Sequence, residues 1–256
     1  MALQIRERPS ANFDVRTRPI DLVVLHYTGM QDADAALRRL TDPEPKAGNY
    51  PGPWQSDTVD PDAPLPRVSA HYVLDEAGVA HRVVAEEHRA WHAGASSWEG
   101  EGDVNSRAIG IEIVNGGHDF GLPDFPEVQI EGVIALLREI LQRWKLDPSR
   151  VVAHSDIAPA RKLDPGEKFP WKRLADAGVS IWPEPTQHFE EDDAIGALQA
   201  SLAAFGYGVQ SNGVLDEATK AAIVAFQRRF RPSLIDGVAD AETASLIKAA
   251  ALLKRA

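Results

Sequence analysis

The stretch VVAHSDIAPARKLDPGEKFPW, residues 151–171, carries one histidine, two aspartates, three cations and three prolines. An apolar strand pattern runs into His154, and a stiff, turn-rich loop follows. His26 is placed alike, at the end of the apolar run DLVVLHYT, residues 21–28. The carboxyl ends of buried strands are where open sheets gather their ligands. Together with Asp164 of the loop, these residues form a His, His, carboxylate set with one coordination position left open, the pattern of a catalytic zinc. Asp164 precedes Pro165, which biases it to extended geometry. Residues two apart then point the same way, so Lys162 can share a pocket with Asp164. A lysine there can stabilise an oxyanion, or simply pair with an acid.

Glu112 is the fourth candidate. In AIGIEIV, residues 108–114, isoleucines 109, 111 and 113 share one strand face, and Ala108, Gly110, Glu112 and Val114 the other. A carboxylate in mid-strand needs compensation, and its small neighbours suggest an open cleft floor. Facing a metal, Glu112 would be the general base for a bound water; on an edge strand it would be ordinary surface. A competing pattern is His154-Ser155-Asp156, an H-x-D triplet that with a distant histidine would suit a non-haem iron triad. That reading leaves Lys162 and Glu112 without roles.

The elements that must position these residues alternate along residues 1–183. Strand patterns occupy residues 21–28, 107–115 and 150–156, and a pair lies within 69–84 about a turn at 76–78. A helix is expected between the second and third of these, capped by Asp124 and carrying Ile130, Val133, Ile134, Leu137, Leu141 and Trp144 at helical spacing. Asp147-Pro148 ends it. Residues 41–66, with seven prolines and two glycines, predict a long surface loop. The expected fold class is α/β (α+β): a central mixed β-sheet flanked by helices, followed by a small three-helix domain.

The boundary follows from composition. All six tryptophans precede residue 184, and IWPEPTQHFEEDD, residues 181–193, is polar and proline-bearing. We expect a catalytic domain over 1–183, a linker over 184–192 and a helical domain over 193–256. The last contains a repeat: Gly213-Val214-x-Asp216-x-x-Thr219 recurs as Gly237-Val238-x-Asp240-x-x-Thr243. In each copy the glycine suits a turn and the aspartate an N-cap. Helices carrying Ile195, Leu198, Leu202 and Phe205, then Ile223, Phe226 and Phe230, then Leu246 and Ile247, would pack together. With no chemistry-bearing cluster, this part reads as a binding module. A net charge of −11 without a basic run argues against nucleic acid as a partner. The absence of cysteine excludes disulfides and thiolate ligands, and no apolar run is long enough for a membrane span.

Read in order, LHYTGM, VSAHYVLDEAG, RAWHAGASSWEGEGDVNSRAIGIEIVNGGHDFG, PEVQIEGVIALL and VVAHSDIAPARKLDPGEKFPW resemble the zinc-dependent N-acetylmuramoyl-L-alanine amidases of the AmpD/AmiD type, over roughly residues 20–183. The C-terminal part resembles the small helical peptidoglycan-binding domain often attached to cell-wall hydrolases. The resemblance implies one zinc ion held by His26, His154 and Asp164, with Glu112 as acid/base and Lys162 beside the scissile carbonyl. It also implies that RAWHAGASSW lines the substrate cleft, making Arg89, His92 and Trp98 contact candidates, although Trp91 and Trp98 equally suit ordinary packing. His71 reads as structural, and the proline-rich loop 41–66 departs from the family pattern.

The implied reaction is hydrolysis of the amide between the lactyl group of N-acetylmuramic acid and L-alanine, in peptidoglycan or in muropeptides. A peptidoglycan-fragment binding protein without activity is the alternative. The N-terminus lacks the apolar core of a signal peptide, so the expectation is a cytoplasmic enzyme of muropeptide recycling. A leader removed beforehand would instead place it in the periplasm or cell envelope, where a wall-binding domain finds polymer.

Overall fold

In the computed structural model, residues 3–50, 60–185 and 195–254 are described; most of the expected linker and residues 51–59 of the proline-rich loop lie outside them. Along the chain come β1 (Ile5–Glu7), β2 (Phe13–Val15), β3 (Leu22–Tyr27), α1 (Ala33–Thr41), β4 (Tyr72–Leu74), β5 (Ala80–Arg82), β6 (His88–Ala90), β7 (Ala108–Ile113) and α2 (Glu127–Trp144). Then follow β8 (Val151–Ala153), α3 (His154–Ile157), α4 (Trp171–Asp176), α5 (Ile195–Phe205), α6 (Glu217–Phe230) and α7 (Ala241–Leu253). The main sheet has six strands in the order β1-β5-β4-β7-β3-β8, and β2 pairs with β6 in a second, two-stranded sheet. β3 and β4 both run parallel to β7, while β5 is antiparallel to β4. The mixed sheet with flanking helices and a helical C-terminal region is the expected α+β class. Two compact units form, residues 1–94 with 105–146, and residues 95–104 with 147–256.

In the first unit the β3–β7 ladder is the spine. Leu22, Val23, Val24 and Leu25 are completely buried, as are Ile109, Ile111 and Ile113, the continuous burial expected of parallel strands. Just outside the ladder, the Arg107 guanidinium donates two hydrogen bonds to Asp21, at 2.8 and 2.5 Å. A one-residue slip would turn every side chain to the other face, and this clamp opposes it. α1 lays Ala36, Leu37 and Leu40 against Val73, Val83, Val84, Ala90 and Val114. Its Asp32 caps the first turn by accepting from the Ala35 N–H. The alternation in α2 is as expected, with Ile130, Val133, Ile134, Leu137 and Leu141 buried.

The predicted Asp124 cap is not made. Pro126 occupies the N-cap position, and its preset φ starts the helix without a side-chain acceptor. Close approach of α2 to the β4–β5 turn depends on two glycines. A Cβ on Gly132 would lie 2.4 Å from the Gly78 carbonyl oxygen, and one on Gly78 2.3 Å from that of Val128.

In the second unit the repeat is a repeat of hydrogen bonds. Gln199 donates to Asn212 Oδ1, Val214 O and Thr219 Oγ1, and accepts from the Gly213 N–H. Gln227 does the same with Asp236, Val238, Thr243 and Gly237. Asp216 and Asp240 cap α6 and α7 as expected, accepting from Thr219 and Thr243 N–H. One expected apolar position differs: Ile195 is 37% exposed, and the buried face of α5 turns instead to Gln199, Leu202 and Phe205. A fully satisfied buried amide replaces an aliphatic contact there because it closes the loop on the next helix.

Candidate active site

His26, the penultimate residue of β3, is 1% exposed. Across the ladder its register partner is Glu112 of β7, which is half-buried. Register partners on parallel strands present their side chains to the same face, so the expected base stands beside the expected ligand. The open floor suggested by the small residues of β7 is filled in part. A Cβ on Gly110 would lie 2.4 Å from the His92 ring. Without one, that ring lies over the strand and brings its Nδ1 within 3.1 Å of His26 Nε2. The His92 and Ala93 N–H groups both donate to Asn105 Oδ1, at 3.0 and 2.8 Å. Nothing in the sequence pattern singled out Asn105.

His154 departs from expectation in its local structure. The strand stops at Ala153 and His154 opens the one-turn helix α3. Asp156 draws the chain into that turn by accepting from the Ala153 N–H at 2.8 Å. The Ser155 N–H donates to the Asp164 carbonyl at 3.0 Å, and His154 Nδ1 lies 2.9 Å from Asp164 Oδ2. The Lys162 N–H donates to the Ala158 carbonyl at 3.0 Å, and Lys162 itself is half-buried.

His26, His154 and Asp164 each offer a ligand atom within 4.8 Å of the others, and all three are buried. Among the described residues this is the group that can hold a metal ion. Two imidazoles with one carboxylate fit zinc, with room for a fourth ligand. The iron-triad reading fails on Asp156, whose carboxylate is taken by the Arg229 guanidinium and the Tyr207 hydroxyl, both at 2.6 Å.

The remaining candidates separate. Arg89 spends its guanidinium on Asp14 and on Ser106 Oγ, each at 2.9 Å. Trp98 is completely buried, edge-on to Phe205 and Tyr207 with ring centroids 5.6 and 5.4 Å away, and under the Lys254 ammonium. With no accessible surface it is a packing residue, the second of the two uses its sequence suggested. His71 is structural. Its Nδ1 accepts from the Gly110 N–H at 2.9 Å, leaving Nε2 to donate to the His88 carbonyl, which Arg16 also reaches. Burial, then the Arg16 charge, push its pKa down to about 3. Arg16 was not anticipated; a lone arginine in an exposed-looking segment carries no periodic signal.

This constellation has relatives. Residues 16–167 match the N-acetylmuramoyl-L-alanine amidase family, and residues 191–247 a family described as a peptidoglycan binding domain. The chain is an N-acetylmuramoyl-L-alanine amidase family member. It is 34% identical over 252 residues to the amidase AmiD of Escherichia coli, covering 90% of this chain and 82% of AmiD. AmiD of E. coli has been solved with anhydro-N-acetylmuramic acid-L-Ala-D-gamma-Glu-L-Lys as substrate. That structure superposes with a TM-score of 0.73 at 32% identity, over 94% of this chain and 91% of that one. AmpDh3 of Pseudomonas aeruginosa, in complex with anhydromuramic pentapeptide, superposes with a TM-score of 0.71 at 32% identity, over 91% of each chain. As in the sequence pattern, no helix among the described residues of this amidase is long and apolar enough to cross a membrane.

Proposed function

We propose that this amidase is zinc-dependent and cleaves the amide between the lactyl group of N-acetylmuramic acid and L-alanine in muropeptides or peptidoglycan. The observation that carries the reading is the buried group of His26, His154 and Asp164 with ligand atoms within 4.8 Å, together with Glu112 as register partner of His26. Those three residues would hold the zinc. When bound, it supplies Lewis acidity and lowers the pKa of a water toward about 7. Glu112 accepts the proton of the attacking water and returns it to the departing alanine nitrogen, the step that makes an amine a tolerable leaving group. Lys162 contributes positive charge to the developing oxyanion. Among the contact candidates, the position of His92 beside His26 favours it over Arg89 and Trp98.

In domain terms, residues 1–183 are the catalytic part, 184–192 the linker and 193–256 the wall-binding part. Attachment to a polymer raises the effective concentration of scissile bonds, which favours the sacculus as a substrate alongside the anhydro-muropeptides bound by AmiD and AmpDh3. The test is mass spectrometry of products from zinc-loaded protein incubated with purified sacculi and, separately, with a soluble disaccharide tetrapeptide. The expected products are free stem peptides beginning at L-alanine. Bound zinc with no release from either substrate would overturn the amidase reading in favour of a fragment-binding role.

A further inference from the structure

Arg229 and Tyr207 come from the helical C-terminal part, yet neither is on its surface: they are 1% and 2% exposed. Both converge on Asp156, two residues after His154. One terminal nitrogen of Arg229 meets Asp156 Oδ2 at 2.6 Å, with both side chains essentially removed from solvent. The other donates to the Val151 carbonyl of β8 at 2.8 Å. The Tyr207 hydroxyl donates to Asp156 Oδ1 at 2.6 Å. The guanidinium is also enclosed by aromatic rings, 4.1 Å from the Trp171 centroid and 4.6 Å from that of Phe230. Asp156 in turn closes on the Ala153 N–H, so its carboxylate ties together both ends of the turn that contains His154.

We propose that Arg229 and Tyr207 are positioning residues for the metal-ligating turn, holding Asp156 so that His154 and Asp164 are presented in the geometry a zinc ion requires. The helical part is then a structural support of the active site as well as a wall-binding module. α3 is a single turn of four residues, too short to persist on its own hydrogen bonds, so outside contacts set its shape. A buried ion pair adds little net stability, but removing one partner strands the other charge. The turn therefore cannot relax while Arg229 is in place. Ser155 N–H, held to the Asp164 carbonyl, passes this fixation to the second ligand. Groups that orient ligands from behind typically tune metal affinity by about 10- to 100-fold.

The inference rests on the zinc reading above, and the experiment separates the two. In the full chain, Arg229→Met, Arg229→Lys, Tyr207→Phe and Arg231→Met are titrated with zinc against a chromophoric chelator, well below each melting temperature. Arg231 is the control, since it pairs with Asp240 and Glu242 inside the helical part. Arg229→Met should weaken zinc binding by about 10- to 100-fold, with partial rescue in Arg229→Lys. Tyr207→Phe should weaken it by about tenfold, the low end for one hydrogen bond to a charged carboxylate. Arg231→Met should lower the melting temperature and leave zinc affinity unchanged. Should Arg229→Met fail to fold, Tyr207→Phe decides alone. Parent-like affinity in folded Tyr207→Phe, or an equal loss in Arg231→Met, would overturn the positioning role while leaving the amidase reading intact. A parent protein that binds no zinc would remove the zinc reading and this inference with it.

Discussion

Glu112 is the register partner of His26 across the parallel β3–β7 ladder, so an acid and a metal-type ligand rise side by side from one sheet face. A carboxylate so placed can exchange a proton with a water held at the ligand group without moving the backbone. Glu112→Gln keeps the shape and the ligands but cannot accept the proton. We expect turnover to fall by about 10²- to 10⁴-fold, with zinc content and melting temperature unchanged. Product chromatography beside metal analysis checks this, and a fully active variant would refute the assignment.

Metal removal should act through the same three ligands. Exhaustive chelation is expected to abolish cleavage, and zinc alone to restore it. Asp164→Ala should lose the ion on dialysis, because a carboxylate supplies the charge that two neutral imidazoles lack. Retention of a full equivalent by this variant would mean that Asp164 is not a ligand.

Lys162 should show itself in kcat. Lys162→Met keeps the length of the stem but removes the charge, and a lost oxyanion partner costs about 10²- to 10³-fold in turnover. KM and zinc content should stay close to the parent values. A raised KM with intact kcat would recast Lys162 as a residue that holds substrate.

The buried His71 predicts acid sensitivity. In the fold its pKa is about 3, against 6.5 for the unperturbed group, so between those limits the unfolded chain takes up a proton that the folded chain refuses. Stability from this group is complete above pH 6.5 and declines as pH falls. From pH 6.5 to 5 the loss is roughly 2 kcal/mol. Urea unfolding at pH 7 and pH 5 should show a larger drop for the parent than for His71→Gln; equal drops would contradict it.

Gln227 is the hinge of its repeat. Gln227→Leu leaves the Gly237 N–H and the Val238 carbonyl without their amide partner. The expected loss is about 1–3 kcal/mol, read as a lower urea midpoint for the helical part. Gln199→Leu should match it, since the two amides make equivalent bonds. Unequal responses would show that the repeat is one of sequence only.

What the sequence by itself determined is periodic or local. Alternation along residues 108–114 put Glu112 on the face opposite Ile109, Ile111 and Ile113. Helical spacing marked the buried face of α2, and the repeated Gly-Val-x-Asp-x-x-Thr located both caps of α6 and α7. The donor types at His26, His154 and Asp164 pointed to a metal, and the three come together as a buried group that could hold one. Tertiary structure alone decided which residues meet across the chain. The His92 ring fills the space above Gly110, Arg16 gathers carbonyls from several segments, and Arg229 reaches Asp156 from 73 positions away. One trace of that last contact is legible afterwards: Arg229 follows Phe226 by three residues on a helix, on the stripe that faces inward. Periodicity tells which face of an element is buried, because burial depends only on the side chain's own direction. It does not tell which partner lies beneath, because a guanidinium or an imidazole takes its role from groups brought close only when the whole chain has folded.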